Sequence, residues 1–82
     1  MKATIRITLK NGVLDPQGKA IERALGTLGF DGIEDVRQGK LIELHLTQSD
    51  PQIASAKISE MCEKLLANTV IENYCFELDE QD

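Results

Sequence analysis

The sequence predicts an α+β domain, with two helices layered on one face of an antiparallel sheet, and three observations lead there. Residues Lys2–Lys10 alternate apolar and polar, a period of two that marks a half-buried strand. Two Asp-Pro pairs, Asp15-Pro16 and Asp50-Pro51, lie 35 residues apart, and each precedes apolar residues at helical spacing. Short alternating segments follow both helical stretches.

Taken in order, Ala3, Ile5, Ile7 and Leu9 give the first strand its core face, and Lys2, Thr4, Arg6, Thr8 and Lys10 give it a polar one. Asp15 can cap the first free N–H groups of a helix, and proline fits the position after it because no N–H is needed there. Ala20, Ile21, Ala24, Leu25 and Leu28 form the apolar stripe of that helix, and Gly29 is a natural stop. Phe30-Asp31-Gly32 reads as a turn and Ile33–Arg37 as a short second strand. Gln38-Gly39 reads as a tight turn into a third strand, Lys40–Thr47, with Ile42, Leu44 and Leu46 on one face. After Asp50-Pro51, residues Ala54, Ile58, Met61, Cys62 and Leu65 line the second helix, and Asn68 can end it in a left-handed conformation. Val70–Leu78 is the last strand, with a bulge at Val70-Ile71 where the alternation slips. The order βαββαβ is the split βαβ, ferredoxin-like arrangement of an antiparallel two-layer sandwich. Residues 1–82 form one domain, and 79–82 read as a frayed acidic tail.

Composition narrows the function. A chain of 82 residues buries only about 60% of the surface its unfolded form exposes, so cover from a partner surface or a second copy is expected. A net charge of -5 argues against nucleic acid and against an anionic membrane surface. No apolar run exceeds three residues, as at Leu65-Leu66-Ala67, far short of a membrane span. The N-terminus enters the alternation directly, with no signal-peptide core, so a cytoplasmic location is expected, with Cys62 and Cys75 reduced.

The segment Gly12–Ala20 resembles a phosphate loop and fails as one. Five residues separate Gly12 from Gly18-Lys19 where four are required, and Ala20 has no oxygen for magnesium. His45 is a lone histidine on a polar strand face, and two cysteines with one histidine make a poor zinc site. Glu34-Asp35 and Glu60-Glu63 have no apolar surroundings to raise a pKa and read as solvated charge. The outer sheet face, with Lys2, Thr4, Arg6, Thr8, Leu41, Glu43, His45, Asn73 and Cys75, is either a solvated face or a wet protein interface. Its first strand lacks the aromatic residues on which RNA-binding sheets stack bases. No catalytic constellation, cofactor site or metal site emerges. The least generic segments are two loops, Asn11–Gly18 and Asp35–Lys40.

Those loops also carry a resemblance. Thr8–Ala20, Glu34–Lys40 with the following Leu41-Ile42-Glu43-Leu44, and Met61–Asn68 with Val70-Ile71-Glu72-Asn73-Tyr74 resemble, in register over almost the whole chain, the motifs of the PurS family. That family is the small subunit of phosphoribosylformylglycinamidine synthase in purine biosynthesis. Thr69 and Asn11 depart from it where proline is common. The resemblance implies a PurS-like fold and a non-catalytic accessory subunit that self-associates as a homodimer or higher. It would bridge a glutaminase subunit, which releases ammonia, and a synthetase subunit, which itself uses ATP and magnesium. In that role Gly12, Val13, Leu14, Asp15 and Pro16 form one partner contact, and Arg37, Gly39 and Lys40 shape a second. A dimeric small-molecule-sensing module of ferredoxin-like fold is the competing reading. A small hydrolase such as an acylphosphatase would want an arginine in a phosphate cradle after the first strand, and Asn11–Gly18 has none.

Overall fold

A computed structural model describes residues 1–80. In chain order these form β1 (Lys2–Leu9), α1 (Pro16–Thr27), β2 (Gly39–His45), α2 (Pro51–Met61), a π-helical turn (Cys62–Leu66) and β3 (Glu72–Asp79). The described sheet has the order β2-β1-β3, with both outer strands antiparallel to β1. Ile5 pairs with Ile42 on one side and Phe76 on the other, so the inward residues of all three strands meet across β1. The α+β class and the antiparallel sheet are those expected from the alternation.

The core lies between the sheet and α2. Ala3, Ile5 and Ile7 of β1 and Ala54, Ile58 and Cys62 of the helix are fully or almost fully buried. Ile42, Leu44 and Leu46 on the β2 side, and Tyr74, Phe76 and Leu78 on the β3 side, pack around them half-buried. Asp50 caps α2 by accepting from the Gln52 N–H at 2.9 Å, with Pro51 next, as the Asp-Pro signal requires.

Four local expectations are corrected. Leu65 does not face the core. The Ala67 N–H donates to the Cys62 carbonyl, five residues back, and this wider turn carries Leu65 out to 82% exposure while Leu66 and Ala67 turn inward. Asn68 is not left-handed. Ala67 is already extended, and the Asn68 side chain accepts from the Val70 N–H while its carbonyl accepts from Ile71 and Glu72, making a polar turn in place of the expected bulge. Asp79, expected in a frayed tail, is the last residue of β3 and pairs with Lys2; residues 81 and 82 lie outside the described residues.

The fourth concerns Ile33–Arg37, which forms no strand. Gly32 and Asp35 have φ of 78° and 53°, left-handed values that break an extended ladder. Gly39 is therefore not a turn residue but the first residue of β2. A Cβ there would stand 2.5 Å from the Ile7 carbonyl oxygen, so the close strand approach requires glycine.

Helix α1 begins and ends as predicted, with Asp15 as its cap and Gly29, at φ 93°, just past its end. Its surroundings differ from the expectation that both helices cover one sheet face within the chain. Ile21 is 40% and Leu28 72% exposed, and neither the sheet nor α2 packs extensively on α1. The Cα radius of gyration is 16.2 Å and the longest extent 48 Å. A compact chain of this length would have a radius near 12 Å. The segment after α1 returns beside it, bonded by the Phe30 N–H to the Leu25 carbonyl at one end and packed against Gly18 through Val36 at the other. Helix and return segment together make an arm leaving the Leu9–Gly39 end of the sheet.

Candidate functional site

The two loops singled out in the sequence meet at the root of that arm. Asp15 joins them. One carboxylate oxygen accepts from the Gly18 N–H at 2.8 Å, capping α1, and the other accepts from the Gln38 N–H at 2.8 Å, holding the chain that enters β2. The Arg37 guanidinium spans the same corner, donating to the Leu9 carbonyl at 2.6 Å and the Lys10 carbonyl at 3.1 Å. Those N–H groups, Gln38 first and Gly18 second, together with the nearby Arg37 charge, hold the Asp15 carboxyl below its ordinary range. That direction suits a permanent acceptor; a general acid at neutral pH needs the opposite shift.

Gly18 explains the Gly-Lys pair. It is the one buried residue of α1, and a Cβ there would stand 2.3 Å from the Val36 carbonyl oxygen. The glycine lets α1 and its return segment close together. The sequence signal was a glycine in the first turn of an otherwise regular helix, where its propensity cost needs a reason.

Two open clefts flank the corner. Gly12, Val13, Leu14, Asp15, Lys19, Asp35, Val36 and Arg37 line one of about 290 Å³. The other, about 340 Å³, takes in Pro16, Gly39 and Lys40 along with Ile7, Leu9 and Glu72. Both loops thus line one continuous surface with Asp15 at its centre. Leu14 is 72% exposed on it, and Gly12 turns the chain at φ 86°. Glu72 anchors the second cleft. The Asn68 N–H donates to it at 2.7 Å and Lys40 pairs with it at 3.4 Å, and these lower its carboxyl in that order against the opposing effect of partial burial. The Lys10 N–H donates to the Ile71 carbonyl, which brings the 68–71 turn and its exposed Val70 beside the 10–13 turn.

Elsewhere the polar residues behave as solvated or structural groups. Lys2 pairs with Glu43 and Arg6 with Glu77 across the outer sheet face, and Lys64 with Glu60 along the helix. His45 and Cys75 are exposed on that outer face. Burial pushes the Cys62 thiol up, away from the thiolate a nucleophile requires. Among the described residues no cluster of His, Cys, Asp and Glu is arranged to hold a metal, and no helix is long and apolar enough to cross a membrane.

Comparison with known proteins settles the lineage. Residues 2–80 match the model of the PurS family, described as phosphoribosylformylglycinamidine (FGAM) synthase. The chain belongs to the PurS family. It is a subunit of FGAM synthase, the ligase complex of purine biosynthesis. The PurS subunit of Synechocystis sp. is 54% identical over 74 residues, covering 90% of this chain and 74% of its own. The crystal structure of Methanocaldococcus jannaschii PurS, one of the subunits of formylglycinamide ribonucleotide amidotransferase, is 40% identical with a TM-score of 0.87, covering 99% of this chain and 98% of its own. A chain of the PurLQS structure from Thermotoga maritima is 32% identical with a TM-score of 0.84 and covers 93% of each.

Proposed function

We propose that this chain is the accessory subunit that holds a glutaminase subunit against a synthetase subunit, so that ammonia released by one is consumed by the other. The observation that carries this is the corner at Asp15, where one carboxylate and the Arg37 guanidinium fix two otherwise unrelated loops into one rigid, partly apolar surface. A surface of this kind presents fixed protein contacts. The likeness to a chain of the Thermotoga maritima PurLQS structure supports an assembly of the same kind here. Gly12, Val13, Leu14, Asp15 and Pro16, with Arg37, Gly39 and Lys40, are the contact residues; in their midst Asp15 and Arg37 act chiefly by positioning the loops.

The same reading places the chain in the cytoplasm, as at least a homodimer, with no cofactor of its own and with ATP and magnesium handled by the synthetase partner. The uncovered apolar stripe of α1 supports self-association. Ammonia is lost to protonation in water, so separate active sites have to be held in register. The test is reconstitution from purified subunits with and without this chain. Glutamine-dependent amidine formation and a co-migrating complex should both require it. Unchanged glutamine-dependent activity in its absence would refute the bridging role. A sensing module would instead show a small metabolite raising the melting temperature of the isolated chain.

A further inference from the structure

We infer that the free edge of β3 takes up an extended, alternately apolar and basic segment of a partner subunit, which adds to the sheet as a further strand. The inference rests on the bridging role proposed above and names one contact that the role uses. The hydrogen-bond register decides which backbone groups are available. In an antiparallel ladder, opposed residues alternate between pairs that exchange both backbone bonds and pairs whose N–H and C=O point away. Met1 and Leu46 exchange both bonds, at 3.0 and 2.7 Å, so the odd-numbered residues of β1 bond to β2. The even-numbered ones bond to β3, and one step beyond the strand the Lys10 N–H still donates to the Ile71 carbonyl at 2.8 Å. With Arg6 opposite Cys75 and Thr4 opposite Glu77, the odd-numbered residues of β3 are the ones bonded to β1. Tyr74, Phe76 and Leu78 therefore turn their N–H and C=O groups to the open side of the sheet, where no further strand lies among the described residues.

This edge lacks the usual protections against pairing. β3 is 8 residues long, carries no proline, glycine or lysine, and runs in unbroken register from Asp79 opposite Lys2 to Glu72 opposite Leu9. What it carries is negative charge. Lys64 is the last basic residue of the chain, and Glu72, Glu77, Asp79, Glu80 and Asp82 follow it. Two such edges laid together would oppose like charges, so a second copy is a poor occupant. An incoming strand with Lys or Arg at alternate positions meets the opposite sign. Its basic residues would lie on the outer face beside Glu77 and Asp79, next to an open cleft of about 550 Å³ lined by Lys2, Thr4, Glu77, Leu78, Asp79 and Glu80. The Arg6–Glu77 ion pair is no obstacle, because both side chains are exposed and such a pair is weak. The apolar residues of the incoming strand would extend the half-buried inner row Tyr74, Phe76 and Leu78. In an addition of this kind main-chain bonds give affinity and alternate side chains give specificity.

Amide hydrogen exchange in the reconstituted complex is the test, with the labelled chain recovered after quenching and read residue by residue by NMR. In the chain alone the Asn73, Cys75 and Glu77 amides should exchange slowly, and those of Tyr74, Phe76 and Leu78 at least about tenfold faster. In the complex the second set should slow to match the first. Edge amides that stay fast in an active complex overturn the inference and leave the bridging role standing. Amides already slow in the chain alone, or slowed by raising its own concentration, also overturn it, because the edge is then covered without a partner subunit. A second measurement reads the charge match. Glu77→Lys with Glu80→Lys should weaken assembly at least about tenfold, while Glu60→Lys, exposed on α2, leaves it unchanged. Equal effects of the two changes refute a basic occupant. A chain that forms no complex with the other subunits refutes the inference and the bridging role together.

Discussion

Helices α1 and α2 begin alike and end in different surroundings. Each starts with an aspartate cap followed by proline, and each carries an apolar stripe. Yet α2 buries Ala54 and Ile58 completely, Ile58 in one cluster with Ala3, Ile5 and Ile7 of β1, while α1 buries only Gly18, at its root. Of the two, α1 is the more amphipathic, and it is the one left uncovered. Amphipathic periodicity therefore states that a helix has a covering surface, and says nothing about which chain provides it. A region the chain covers itself and a region that waits for a partner should respond differently to the same kind of change.

The largest difference is expected from core truncation. Ile58→Ala removes a side chain with no exposed surface and should cost about 3 kcal/mol in urea unfolding, within the usual 2–5 for such sites. Ile21→Ala, on the arm, should cost less than about 1 kcal/mol at concentrations where the chain is monomeric. Equal losses would mean that α1 is buried within its own chain.

Glycines sharpen the contrast next. Gly18→Ala drives a Cβ into the Val36 carbonyl at the root of the arm and should cost about 2 kcal/mol. Gly26→Ala, in the same helix, meets nothing within 4 Å and should stabilise α1 by up to about 1 kcal/mol. Opposite signs in one helix, read from melting temperatures, would locate where the arm is tied down.

A smaller effect concerns pH. Asp15 and Glu72 have folded pKa values below their unfolded ones. The stability they contribute is present above the unfolded value, about 4, and is lost as pH falls through the lower folded values. Unfolding midpoints should therefore drop with acidification below about pH 4. Asp15→Asn should flatten that dependence and loosen the joint between the loops, measurable as faster exchange of the Gly18 and Gln38 amides. An unaltered pH profile in the variant would remove Asp15 as the strap.

Much of this was legible in the sequence where the cause is local. Asp15, Asp50 and Gly29 mark helix ends because capping is settled within a few residues. The alternation in β1 and β3 fixed their inward faces for the same reason. The misread features depend on distant neighbours. Ile33–Arg37 has strand-like composition, but two left-handed residues and the pull of Asp15 on Gln38 keep it beside α1. Leu65 lies on the regular helical stripe and is displaced by one bond from Ala67 to Cys62. The candidate loops were found from their unusual composition, and their meeting at one carboxylate was not, because Asp15 and Gln38 are 23 residues apart.

Amide hydrogen exchange followed over a concentration series tests the central contrast most directly. The account predicts slow exchange throughout α2 at every concentration, and in α1 a protection that is weak in dilute solution and rises as chains associate. Strong protection of α1 in the isolated monomer, or none at any concentration, would contradict it.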